Sequence, residues 1–189
     1  MENIDQIYDK EHCGVIMLKN FLPDDIHKQI SDYLSNENNK TKYIKLPYMY
    51  GKTIQDMSVW NFASENKEIN ILKNKYLEIR NSIFRKYDID LEICVNYYDK
   101  GAKGISPHRD FSTSVNMIGI YVVHSKNDFC VADTRDKQNE KRFDAYDNTL
   151  IIMRGPRSTD ENDMRPFHYV ENIIEDRISI IFRENKTEF

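Results

Sequence analysis

His108 and Asp110 stand two residues apart in the run ISPHRDFS, and His168 lies further on in RPFHYVENIIEDRISIIFR. In a regular strand, residues two apart face the same side, so an imidazole and a carboxylate at this spacing can reach one metal ion together. By itself H-x-D is a weak motif, because a surface histidine near an aspartate is ordinarily only solvated. His168 alone reads as a core histidine with a satisfied hydrogen bond. Taken together, two histidines and one carboxylate make the facial triad of non-haem iron(II) sites, which leaves further coordination positions open.

Arg177 follows His168 by nine positions and opens the run R-I-S-I-I-F-R. With strand periodicity, Arg177, Ser179, Ile181 and Arg183 fall on one face, and Ile178, Ile180 and Phe182 on the other. Solvent is one explanation for the charged face, since antiparallel sheets often have a wet side. A buried face would need a counter-charge, because an unpaired buried charge is very costly. A dicarboxylate would supply one through paired, charge-assisted hydrogen bonds to the guanidinium groups. In LEICVNYYDKG, Asn96 and Tyr98 share a face with Glu92 and Cys94, placing two hydrogen-bonding groups just ahead of the H-x-D. They suit an organic acid bound beside a metal.

The elements that must position these residues change type along the chain. A short apolar strand over Gly14 to Leu18 precedes a helix opened by Pro23, Asp24 and Asp25, where proline and acids are favoured. Ile26, Ile30, Tyr33 and Leu34 give that helix its apolar face, and SNENNKTK ends it as a polar loop. TKYIKLPYMYGKTIQDMSVWNF reads as irregular strands and loop. Its Tyr43, Tyr48, Tyr50 and Trp60 either line a substrate pocket or pack on the core. A long helix from about Ser64 to Tyr87 carries the core stripe Ile69, Leu72, Tyr76, Ile79 and Ile83. After Ile89 the runs LEICVNYY, SVNMIGIYVV, DFCVAD, NTLIIMR, PFHYV and RISIIF are strands divided by turn-formers, with GAKGISP read as turn. Helices followed by many short strands predict an α+β fold with a sandwich or barrel of antiparallel strands.

With 189 residues, 40% hydrophobic and 31% charged, the chain suits one globular domain with a sizeable core. We expect residues 1–88 to be mainly helical support with a candidate substrate lid, and residues 89–185 to form the strand core. The net charge of −4 is not that of a strongly basic nucleic-acid binder, although a local basic groove remains open. Cys13, Cys94 and Cys130 are far apart and form no C-x-x-C pair, which argues against a zinc ribbon or a disulfide framework and for a reducing cytoplasm. The N-terminus has no signal-peptide pattern, and no run has transmembrane length. His124 reads as a turn or surface histidine, and His12 and His27 as structural. Cys130 has no partner for nucleophilic catalysis. Arg109, between two proposed ligands, points either away or toward a substrate. DTRDKQNEKRFDAYDN and RGPRSTDENDMRP mix charges, and neither is a clean phosphate-binding patch.

The order N-x-Y, GAK, H-x-D, distal histidine and R-x-S-x-x-x-R, over residues 91–183, resembles the iron(II)/2-oxoglutarate dioxygenase superfamily and, within it, AlkB-like proteins. GVIMLKNFLPDDIHKQI is similar to the strand-and-helix entry of that group. The resemblance implies a double-stranded β-helix, or jelly-roll, backed by N-terminal helices. It implies iron(II) held by His108, Asp110 and His168, with 2-oxoglutarate and dioxygen as cosubstrates. Arg177 would pair with the distal carboxylate of 2-oxoglutarate with help from Ser179, and Asn96, Tyr98 and Arg183 match cosubstrate-contacting positions. The carboxylate at Asp110 favours hydroxylation over halogenation. The implied partners are 2-oxoglutarate and an organic substrate, either an alkylated base in nucleic acid or a small metabolite, with no membrane and no obligatory protein partner. A non-catalytic β-sandwich binding module is the competing reading.

Overall fold

A computed structural model describes residues 14–61, 66–83, 90–110, 114–155 and 165–185. From the N-terminus it runs β1 (Val15–Lys19), α1 (Asp24–Ser35), α2 (Glu37–Lys40), β2 (Ile44–Lys45), β3 (Met49–Tyr50), β4 (Thr53–Asp56), β5 (Ser58–Asn61) and α3 (Lys67–Ile83). The second half holds β6 (Asp90–Tyr98), β7 (Gly104–His108), β8 (Ser114–His124), β9 (Phe129–Ala132), β10 (Lys141–Phe143), β11 (Thr149–Arg154), β12 (Phe167–Glu171) and β13 (Arg177–Asn185). The strands form a seven-stranded sheet, β1-β11-β8-β13-β6-β5-β2, and a six-stranded sheet, β10-β9-β12-β7-β4-β3. From β6 onward the chain passes back and forth between the sheets, and β13 pairs antiparallel with both β6 and β8. The fold is α+β, with a double-stranded β-helix core and flanking N-terminal helices.

The central strands of the larger sheet are buried on both sides. On its outer side Ile178, Ile180 and Phe182 of β13 join Ile30 and Leu34 of α1 and Ile69, Leu72 and Tyr76 of α3 in one core cluster. Burying an aliphatic or aromatic side chain of this size contributes about 1.5–3 kcal/mol, so this layer fixes the helices to the sheet. Gly119 in β8 makes the close approach possible: a Cβ there would lie 2.4 Å from the Tyr76 ring. Tyr76 instead stacks on Phe182 with centroids 4.7 Å apart.

Several expectations need correction. SNENNKTK is not simply a loop: Asn36 caps α2 by accepting a hydrogen bond from the Asn38 amide. The N-terminal half contributes five strands as well as its helices, and β4 extends the smaller sheet by pairing with β7. GAKGISP is partly strand, since β7 begins at Gly104 despite Pro107. Pro107 has no amide proton to donate, and beside it the Ser106 hydroxyl accepts from the Ile54 amide. The mixed-charge run DTRDKQNEKRFDAYDN contains the short strand β10, paired antiparallel with β9. Trp60 packs against Tyr33 and Tyr43 on the helical side rather than in a pocket. Cys94 and Cys130 are buried free thiols. His27 is structural, with Nδ1 2.8 Å from the Tyr121 hydroxyl, and His124 ends β8 beside Asp147 and Glu175. Cys13, His12, most of RGPRSTDENDMRP and the ends assigned to the long helix lie outside the described residues. Among the described residues no helix is long and apolar enough to cross a membrane.

Arg80 of α3 is also buried, and its Nε lies 3.3 Å from Oε2 of the fully buried Glu184 on β13. Replacing Glu184 by Leu removes the carboxylate and leaves the guanidinium in the core. The expected loss of unfolding free energy in urea titrations is roughly 3–5 kcal/mol, with Glu184→Gln losing less.

Candidate active site

The two histidines meet because β7 and β12 are neighbours. His168 is the direct cross-strand partner of His108, and their ring centroids lie 4.3 Å apart. This closeness depends on Gly104 at the start of β7. Its φ is +87°, and a Cβ there would lie 2.1 Å from the Val170 carbonyl oxygen on β12. Asp110 is not on a regular strand, since β7 ends at His108. Its backbone carbonyl accepts from Arg165 Nη1 at 2.7 Å, and its Oδ1 accepts from Arg183 Nε at 3.0 Å. Its Oδ2 lies 3.3 Å from His168 Nε2. Side-chain anchoring therefore does what strand periodicity was expected to do. The ligand atoms of His108, Asp110 and His168 all lie within 4.8 Å of one another.

The electrostatics suit a metal. Burial, aided by the neighbouring His168, pushes His108 down to about 3, so its imidazole is neutral at physiological pH. His108 Nδ1 lies 3.0 Å from the Ser106 carbonyl oxygen, and donating there leaves Nε2 as a lone-pair donor. Burial acts to raise the Asp110 carboxyl, but Arg183 and the two imidazoles outweigh it and hold it well below the usual carboxylate range. The donor set is thus two imidazoles, that of His108 neutral, and one carboxylate, which fits divalent iron.

All eight residues singled out from the sequence line one cavity of about 560 Å³ between the sheets. Register explains how β13 and β6 share it: Arg177 pairs with Tyr98, Ser179 with Asn96 and Arg183 with Glu92. The polar face of β13 is not solvated, for Arg177 and Ser179 are each 2% exposed. The sole described hydrogen bond of Arg177 runs from Nη1 to the Ser125 hydroxyl, and its buried Nε has no partner. Burial pulls this guanidinium below its ordinary value. Burial also pushes the Tyr98 phenol up to about 12, against the opposing pull of Arg177, so Tyr98 is a protonated donor. The Asn96 Oδ1 atom is likewise buried without a partner. A buried cation with spare donors, close to protonated Tyr98 and the amide of Asn96, fits a dicarboxylate.

Sequence reasoning missed Ser125, Arg135, Arg165 and Phe129. Phe129 stacks on the His168 ring at 5.9 Å, and Arg135 donates to the Pro107 carbonyl at 2.8 Å. Alternating hydropathy marks Phe129 as core, but no local signal marks the others, which act across long sequence separations. Tyr50 and Arg109 line the cavity, whereas Tyr48 and Trp60 do not.

No protein-family model matches the chain, and no curated protein matches it in sequence. Solved structures do match in fold. A prolyl hydroxylase from Trichoplax adhaerens, in complex with a hypoxia-inducible-factor peptide fragment, superposes with TM-score 0.73 at 12% identity, covering 95% of this chain and 86% of that one. HygX from Streptomyces hygroscopicus, with nickel, 2-oxoglutarate and hygromycin B bound, gives 0.67 at 11% identity, covering 99% and 88%. An oxidoreductase of the 2OG-Fe(II) oxygenase family from Burkholderia pseudomallei gives 0.63 at 13%, covering 96% and 88%. The fold is that of the 2-oxoglutarate/iron(II) dioxygenases. Within it, His108, Asp110 and His168 form a cluster that could hold a metal ion.

Gly104→Ala tests the strand approach that builds the triad. It is expected to weaken Mn(II) binding, read by electron paramagnetic resonance, by at least the roughly 10–100-fold typical of losing a supporting residue at a metal site. Unchanged affinity in the folded variant contradicts the role given to Gly104.

Proposed function

We propose that this chain is an iron(II)- and 2-oxoglutarate-dependent oxygenase that hydroxylates a C–H bond. The observation that carries the reading is the buried, incompletely bonded Arg177 in the cavity that holds the His108–Asp110–His168 cluster. In this reading the three side chains hold iron, and Arg177 with Ser179 binds the distal carboxylate of 2-oxoglutarate. Asn96, Tyr98 and Arg183 contact the remainder. Bound together, the metal and cosubstrate supply oxidation of R–H to R–OH as dioxygen and 2-oxoglutarate become succinate and carbon dioxide. The chain's own residues contribute orientation and exclusion of water. Arg183 keeps Asp110 ionised and aimed at the cluster, Tyr98 stays a donor, and Ile105, Ile120, Phe129 and Ile181 wall the cavity with apolar surface.

For the substrate, the N-x-Y and R-x-S-x-x-x-R pattern supports AlkB-like demethylation of an alkylated nucleobase. Hydroxylation of an N-methyl group gives a product that collapses to formaldehyde and the free N–H. The cavity mouth supports this reading too, with Tyr50 61% exposed at its edge and suited to stack on a planar ring. The likeness to HygX, whose structure holds hygromycin B, favours a small-molecule substrate as the second reading.

Adding Fe(II) and 2-oxoglutarate without oxygen is expected to give a weak visible absorption band, and admitting oxygen to give succinate. Well-folded protein showing neither would sink the proposal. Asp110→Ala is expected to abolish succinate formation, and an active variant would show the triad to be misassigned. Arg177→Ala is expected to raise the 2-oxoglutarate requirement by about tenfold or more, the scale of a lost hydrogen bond to a charged group. Formaldehyde release from methylated oligonucleotides, compared with release from N-methylated metabolites, separates the two substrate classes.

A further inference from the structure

The partner of the buried Arg177 guanidinium is a neutral hydroxyl, and strand register puts it there. β8 and β13 pair residue for residue from Ile120 opposite Ile181 to Val122 opposite Ser179. The register then shifts, so that His124 lies opposite Ile178 and Val123 is the extra residue of a bulge. Bulges of this kind re-aim side chains next to functional sites. Without the extra residue His124 would come level with Arg177. With it, Ser125 does. An imidazole at that level would bring a second cation whenever it took up a proton, whereas a serine brings a neutral acceptor.

The buried Ser125 hydroxyl is fully engaged. It donates to the Asn127 carbonyl at 3.2 Å, and it accepts from the Asn127 amide at 2.9 Å and from Arg177 Nη1. A serine hydroxyl has one proton and two lone pairs, so none is left for a ligand. Asn127 is buried in turn. Its Nδ2 donates to the carbonyls of Glu171 and Asn172 at 3.1 and 3.0 Å, and its Oδ1 accepts from the Ile174 amide at 3.2 Å. Those residues belong to the end of β12 and the turn that leads into Arg177. Both sides of the Ser125–Arg177 contact are therefore fixed to one turn. Asp147 also bonds here, but to other groups: its Oδ1 accepts from the Ser125 amide at 2.7 Å, and its Oδ2 lies 3.3 Å from His124 Nδ1. Among the described residues no carboxylate bonds to Arg177.

We propose that Ser125 is a positioning residue for the cosubstrate, a neutral tether that aims the Arg177 guanidinium into the cavity while leaving its charge for the distal carboxylate. This inference rests on the oxygenase reading above, in which Arg177 binds that carboxylate. An aspartate in the same place would neutralise the guanidinium from within the fold, and an incoming anion would then have to displace a buried ion pair. An alanine would keep the charge but release the guanidinium, so that binding would have to order it. Ser125 touches no ligand in this scheme and acts only through Arg177.

The test pairs two measurements on the full chain. In the metal-free protein with ¹⁵N-labelled arginine, resolved Nη–H signals of Arg177 report the tether, and they are expected to average in Ser125→Ala. In the Zn(II)-loaded protein, calorimetric titration reports the affinity for 2-oxoglutarate. Ser125→Ala is expected to weaken it by about tenfold. Ser125→Thr and Ser125→Asn keep a neutral acceptor and the local turn to Asn127, and are expected to restore most of it. Ser125→Asp also keeps the turn, yet is expected to weaken binding by about a hundredfold or more, with a urea midpoint no lower than that of Ser125→Ala. The proposal is overturned if Ser125→Ala binds 2-oxoglutarate like the unaltered chain, if Ser125→Asp binds it like Ser125→Asn, or if affinity merely follows stability across the variants. Should Ser125→Asp not fold, the comparison of Ser125→Ala with Ser125→Asn still decides. If the unaltered chain binds no 2-oxoglutarate, the oxygenase reading falls, and the Arg177 signals alone judge the tether: resolved signals in Ser125→Ala overturn it.

Discussion

A row of cationic side chains on a strand buried from both sides constrains everything around it. One face of β13 is sealed by the helices through Ile178, Ile180 and Phe182. The other points Arg177 and Arg183 into the space between the sheets. Low-dielectric surroundings make such charges costly unless each meets an acceptor. Arg183 meets Asp110, Glu92 and the Cys94 thiol. Arg177 meets only the neutral Ser125 hydroxyl among described partners. The difference between the two arginines separates what the folded chain neutralises internally from what a bound acid would neutralise.

The triad depends on the same row. Asp110 lies beyond the end of β7 and is held in place by Arg183 through its carboxylate and by Arg165 through its carbonyl. His108 and His168 are set instead by strand pairing, which requires the bare Cα of Gly104 against the Val170 carbonyl. Two construction principles meet at one point: backbone register supplies the imidazoles, and ion pairing supplies the carboxylate. Structures sharing 11–13% identity with this chain have the same fold. That is consistent with a fold specified by hydrophobic pattern and layer packing more than by particular side chains.

Charge also divides the cavity from the rest of the surface. The overall balance is acidic, while among the described residues the cavity is lined by five cationic side chains and two carboxylates. A net charge sums over both and carries no information on where the signs fall. The argument against an anionic substrate that rests on composition therefore does not extend to the interior.

Periodicity alone determined the long helix, most strands of the second half and the two-faced character of β13. Each depends on residues close in sequence and on the fixed geometry of helix and strand. The eight candidate site residues could be selected because the chemistry of imidazole, carboxylate and guanidinium is limited and their order resembles a known pattern. Only the tertiary structure decided that the charged face of β13 turns inward, because alternation is the same whether a face meets water or another sheet. Likewise β7 was hidden by glycine and proline, whose turn preference is overridden by pairing with β12 and β4. The supports of the site, Ser125, Arg135 and Arg165, reach their partners across 52, 28 and 55 residues of chain. No local pattern encodes contacts at such separations, and they exist only once the two sheets have closed over the cavity.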